Sequence, residues 1–141
     1  MERRDAETQR SEPREEINQW TSSIIGAAIE VHRGLGPGFL ESIYEEAMAV
    51  ELALRGHLIR RQVRLPIEYK GTVVGEHRLD MLLEDEVVVE LKAVEAIMPV
   101  HLAQLHSYLK AGAFEVGLLI NFNVPILKNG IRRILLKTPL F

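Results

Sequence analysis

Two carboxylates and an ammonium stand in an otherwise apolar stretch of this chain: Asp80, Glu90 and Lys92 within RLDMLLEDEVVVELK, residues 78–92. Burying charge is costly unless it is paired or binds a metal, so apolar runs that retain both signs call for a chemical explanation. The polar tip Glu84-Asp85-Glu86 between the two runs is a hairpin signal. Alternation across a strand puts Glu90 and Lys92 on one face and Val87, Val89, Leu91 and Ala93 on the other. A three-residue tip centred on Asp85 sets Asp80 opposite Glu90 and Arg78 opposite Lys92, so two acids and an amine meet at one spot. Hard oxygen donors of this kind suit a divalent cation, and a nearby amine suits stabilisation of anionic charge. Acids and lysines also alternate on solvated strand faces, and the spacing D-x(9)-E-x-K does not separate the two cases.

The elements that must position this set follow from periodicity. Trp20, Ile24, Ala27, Ala28, Val31 and Leu35 recur at three and four residues, which predicts a helix with one buried face. Gly34, Gly36, Pro37 and Gly38 stop it. A second helix is expected over about 39–55, with an apolar stripe of Leu40 or Ile43, Ala47, Val50 and Leu54, and with Glu41, Tyr44 and Met48 on a common side. IRRQVRLPIEY alternates like a strand, with Pro66 marking an edge position or a bulge. Lys70-Gly71 makes a turn into a strand over 73–83, which leads to the hairpin.

After Met98-Pro99 a third helix is expected, with Val100, Leu102, Leu105 and Leu109 on its apolar side and His101, Gln104 and Tyr108 opposite. EVGLLIN, 115–121, reads as a buried strand lying parallel to the Glu90 strand by a right-handed crossover. Lys128-Asn129-Gly130 turns into a last strand, IRRILLK, whose Arg132, Arg133 and Lys137 suit either phosphate contact or a charged edge. The fold class is α/β, a mixed sheet flanked by helices.

Composition bounds the rest. The chain has 141 residues, 47% of them hydrophobic, which fits one compact domain over 17–141 behind a charged, loosely attached or disordered tail, 1–16. It has no cysteine, which excludes disulfides, thiolate zinc sites and iron–sulfur clusters. Neither a signal-peptide core nor a membrane-length apolar run is present, so no membrane partner and a cytoplasmic location are expected. The net charge of −3 is unlike that of a strong, stand-alone nucleic-acid binder. It is compatible with a site where bound cations reverse the local sign.

Asp80 followed by Glu90-Leu91-Lys92 resembles the PD-(D/E)XK nuclease superfamily, although Leu79 stands where the family name has proline. Gly38-x-x-Glu41-x-x-Tyr44, within EVHRGLGPGFLESIYEEAM, is similar to the signature of the GxxExxY family of that superfamily, and the likeness runs from about Ile24 to Arg133. Gln104-x-x-x-Tyr108 resembles the QxxxY motif of RecB-type nucleases. The resemblance implies a restriction-endonuclease-like αβββαβ core. It implies that Asp80 and Glu90 hold Mg²⁺ or Mn²⁺, that Glu41 is the helix-borne first acid, and that Lys92 assists attack on a phosphodiester. By the same likeness His32 joins the metal, while Gln62, Gln104 and Tyr108 orient the site or the strand being cut, with Tyr44 beside them.

Each of these residues has a plainer use. Glu41 suits the first turn of a helix, Tyr44 a core, and His32 a helix C-terminus. Gln62 suits a polar strand face, and His101 either a cap or a phosphate contact. Two functions therefore stand: a Mg²⁺-dependent nuclease acting on nucleic acid, DNA before RNA, or a binding or assembly module that keeps the scaffold without efficient chemistry. So small a body is also compatible with a homodimer.

Overall fold

A computed structural model describes residues 13–138. Two helices, α1 (Glu15–Leu35) and α2 (Glu41–Leu54), precede three strands, β1 (Ile59–Tyr69), β2 (Thr72–Leu83) and β3 (Val87–Lys92). Helix α3 (Pro99–Gly112), strand β4 (Val116–Asn121), a 3₁₀ turn (Leu127–Gly130) and strand β5 (Ile131–Leu135) complete the chain. The sheet runs β1-β2-β3-β4-β5, parallel between β3 and β4 and antiparallel elsewhere. This is the expected α/β fold with a mixed sheet. Pro66 lies on the edge strand β1, which has a partner strand on one side only and is where a sheet tolerates proline.

The sheet has helices on both faces. Val31, Tyr44, Met48 and Leu52 of α1 and α2 pack with Met81, Val87, Val89, Leu91, Leu118 and Ile120 on one side. Leu105 and Leu109 of α3 pack with Leu65, Leu79, Leu82, Val88 and Leu119 on the other. The central strands β3 and β4 are therefore covered on both faces, and all six residues of β4 are buried. Gly117 lets α3 lie close, since a Cβ there would meet Leu105 at 2.9 Å. Among the described residues no helix is long and apolar enough to cross a membrane.

The turns follow their residues. Lys70 and Gly71 both take positive φ, 50° and 81°, between the paired Tyr69 and Thr72, which is a two-residue hairpin. Leu83 pairs with Val87 across Glu84-Asp85-Glu86, the expected three-residue tip. Glu84 also anchors that tip: its carboxylate accepts the Leu58 N–H and meets His57 Nδ1 at 3.1 Å, and the Ser23 hydroxyl lies 2.7 Å from His57 Nε2.

Two expectations change. Helix α1 begins at Glu15 and Ile17 is buried, so residues 15 and 16 belong to the helix, and Arg14 before it pairs with Glu86; residues 1–12 of the expected tail lie outside the described residues. The buried stripe of α2 is Tyr44, Met48 and Leu52. Leu40, Val50 and Leu54 are 74%, 62% and 77% exposed, the reverse of the sequence expectation. Rotation of the helix is fixed by Tyr44, whose ring stacks on Phe122 at 4.4 Å and 5°.

Gly130 packs against the backbone of Asn121, and a Cβ there would lie 2.3 Å from its carbonyl oxygen. Gly130→Ala is therefore expected to cost about 1–3 kcal/mol through forced backbone movement. Urea unfolding should show a lowered midpoint, and an unchanged midpoint would contradict this packing argument.

Candidate active site

The site forms where the β2–β3 ladder stops. Backbone pairing runs Leu83–Val87, Leu82–Val88 and Met81–Val89, and the next step in that register is Asp80 with Glu90. There the side chains take over the backbone's bonds. The Asp80 N–H donates to Glu90 Oε2 at 3.2 Å, and the Leu91 N–H donates to Asp80 Oδ2 at 2.8 Å. Asp80 and Glu90 thus meet as the hairpin register requires. Arg78 and Lys92 do not pair, because the ladder has already ended.

The irregularity continues into β1. Gln62, between the pairs Arg61–Met81 and Val63–Leu79, is unpaired and has φ 52°. Positive φ is unusual for a residue with a Cβ, and it turns the strand locally. Ile59 consequently packs on the α1/α2 side while Val63 and Ile67 pack on the α3 side; on β2, Met81 and Leu79 divide in the same way. His77 follows Leu79 to the α3 side. Its Nε2 lies 2.9 Å from Glu90 Oε1, and its ring stacks on Tyr108 at 3.7 Å and 11°.

A pocket of about 80 Å³ on that side is lined by Glu41, Asp80, Glu90, Lys92, His101, Gln104 and Tyr108, together with His77. These come from α2, β2, β3 and α3. A second depression of about 200 Å³ shares Glu41, Asp80 and Leu91 with it and adds Gln62 and Glu45. Glu41 begins α2, and its carboxylate accepts the Ala93 N–H at 3.3 Å, just past Lys92. His101 is the third residue of α3, and its Nδ1 accepts the Met98 N–H at 2.9 Å. That capping bond leaves the proton of a neutral ring on Nε2. Gln62 donates to Glu45 Oε1 at 2.7 Å.

Two expected site residues are not brought here. Tyr44 has no exposed surface; its hydroxyl donates to the Gly36 carbonyl at 2.6 Å and accepts the Phe39 N–H at 3.2 Å. It pins the turn before α2, and so the start of the helix that carries Glu41. His32 meets the Val124 carbonyl at 2.7 Å and lines a separate surface depression with Ile126 and Lys128. It is not among the residues lining the carboxylate pocket.

Two residues with no assigned role in the sequence reading also build the site. His77 escaped because strict alternation places it on the face opposite Asp80. Asn121 is 1% exposed; its amide accepts the Val94 N–H and donates to the Val94 carbonyl, while the Phe122 N–H bonds the Lys92 carbonyl. The segment following Lys92 is thereby held. A buried amide closing the apolar run VGLLI was the available signal.

Electrostatics mark the carboxyl pair. Burial, then the hydrogen bond and negative charge of Asp80, hold the Glu90 carboxyl well above the ordinary carboxylate range. Burial depresses His77, and burial with the two acids raises the Tyr108 hydroxyl. Lys92 acts on Glu90 by its charge and forms no ion pair among the described residues. No group of three His, Cys, Asp or Glu side chains among the described residues forms a ready metal cage. Mg²⁺, however, is commonly held by one or two carboxylates, waters and substrate phosphate, and the Asp80–Glu90 oxygens fit that pattern.

The family model of the PD-(D/E)XK nuclease superfamily matches residues 18–134. Comparison with curated proteins and with solved structures gives no match.

With the Glu90 carboxyl pushed up to about 9 in the native state, its contribution to stability falls as pH rises from the ordinary carboxylate range through about 9. Glu90→Gln removes that dependence. Melting in chelator should fall less between about pH 5 and pH 8 in the variant than in wild type, by about 2–4 °C per kcal/mol removed. Parallel curves would contradict the assignment.

Proposed function

Because the chain belongs to the PD-(D/E)XK nuclease superfamily, we propose that it is a Mg²⁺- or Mn²⁺-dependent nuclease that hydrolyses phosphodiester bonds, with DNA preferred over RNA. Within the superfamily we place it in the GxxExxY group, on Gly38, Glu41 and Tyr44. The proposal is carried by the buried Glu90 carboxyl set against Asp80, with Glu41 and Lys92 lining the same pocket.

Asp80 and Glu90 would hold the cation, with Glu41 at the pocket wall. When bound, a divalent cation supplies a water of lowered pKa and neutralises charge on the phosphoryl oxygens. Lys92, which forms no ion pair among the described residues and is close enough to act on Glu90, stabilises the anionic transition state or holds the attacking hydroxide. Gln104 and Tyr108 lie one helical turn apart and orient the scissile strand from α3, and Gln62 does so from β1. His101 keeps an Nε2–H for a phosphate oxygen, since its Nδ1 is used in the cap. The pocket is acidic, so affinity for a polyanion depends on the cation being in place.

The experiment is incubation of the purified chain with labelled single- and double-stranded DNA and RNA in Mg²⁺, Mn²⁺ or chelator. Cutting is expected only with metal. Lys92→Ala and Asp80→Ala should each lower it by roughly 10²–10³-fold while circular dichroism is unchanged. Wild-type cutting in Lys92→Ala, or in chelator, contradicts the mechanism, and a wild-type chain that cuts nothing favours a scaffold without chemistry.

A further inference from the structure

We infer that His77 is a positioning residue that orients the metal-binding carboxylate of Glu90 and is itself held by the ring of Tyr108; the inference rests on the metal-dependent function proposed above. His77 reaches the site through the face change at Gln62 and Asp80, and it is the one histidine placed within hydrogen-bond distance of either central carboxylate. Its Nε2 is 2.9 Å from Glu90 Oε1, while Glu90 Oε2 accepts the Asp80 N–H at 3.2 Å. Both oxygens are therefore tied. The terminal torsion of a glutamate is broad and nearly two-fold, so a carboxylate anchored at one oxygen only still rotates. Anchoring the second oxygen removes that freedom.

With Glu90 ionised to receive a cation, the bond has one polarity: His77 Nε2–H donates. The stack on Tyr108, 11° from coplanar at 3.7 Å, fixes the imidazole plane in which that N–H lies. Tyr108 thus has two tasks on the same ring, lining the pocket and setting the tilt of His77. Hydrogen-bond partners of metal ligands fix ligand orientation, and losing one typically costs about 10–100-fold in metal affinity.

The test is titration of the full-length chain with Mn²⁺, with free ion followed by electron paramagnetic resonance, in wild type, Asp80→Ala, His77→Phe and His77→Gln. Phenylalanine keeps the stack and deletes the donor, whereas glutamine returns an amide N–H near the Nε2 position. The apparent Kd for Mn²⁺ should rise about 10–100-fold in His77→Phe and recover most of that loss in His77→Gln. Wild-type affinity in His77→Phe overturns the assignment, as does a His77→Gln variant as weak as His77→Phe. If Mn²⁺ binding is lost in Asp80→Ala but unchanged in His77→Phe, the role of His77 fails and the metal site stands. If the wild-type chain binds no more Mn²⁺ than Asp80→Ala, the metal site itself fails and takes this assignment with it.

Discussion

At the end of the β2–β3 ladder a pair of carboxyl groups occupies the place where two strands would have exchanged backbone hydrogen bonds. Leu91 and Asp80 give their N–H groups to the Asp80 and Glu90 side chains. No buried side-chain polar atom among the described residues is left without a partner. The strands can then part while the local hydrogen bonding is kept, and the gap becomes the pocket. Burial, with the negative charge of Asp80 beside it, opposes ionisation of Glu90 and holds its carboxyl well above the ordinary carboxylate range. That opposition is tolerable because the pair is built on β3, a central strand between two packed helical layers.

Each layer contributes to the pocket through contacts that are themselves structural. On the α1/α2 side, Tyr44 stacks on Phe122 and closes the turn at Gly36, which sets the rotation and start of α2 and so the place of Glu41. On the other side α3 seats against Gly117 and supplies Gln104 and Tyr108 from its exposed flank. Between them Asn121 brackets Val94 and fixes the chain just beyond Lys92. Three segments distant in sequence therefore converge without any of them being a free loop. Positions on packed elements hold side chains more tightly than loops do, which suits chemistry that depends on placement.

One unusual backbone conformation lies beside the carboxyl pair. Gln62, with φ 52°, lies across from Asp80 on the edge strand, and its side chain is tied to Glu45, which Arg61 also holds. An unusual backbone conformation of this kind persists when its surroundings determine it, and here the surroundings are the acid pair and the α2 glutamates. Its consequence is an exchange of faces along β1 and β2, which delivers His77 to Glu90.

The sequence by itself determined the element order, the hairpin register through Asp85 and the parallel crossover to β4. These follow from local periodicity, turn chemistry and connection rules, which need no knowledge of distant contacts. It likewise determined that Asp80 and Glu90 meet, because register alone fixes that pair. What only tertiary structure decided was which stripe of α2 is buried, since two apolar stripes were available and the Tyr44–Phe122 stack chose between them. It decided that Tyr44 and His32 lie outside the pocket, and that His77 and Asn121 help to build the site. Period-two alternation assumes a regular strand, and the break at Gln62 and Asp80 reverses its prediction for Val63, Leu65 and Ile67 on β1 and for Leu79 and His77 on β2.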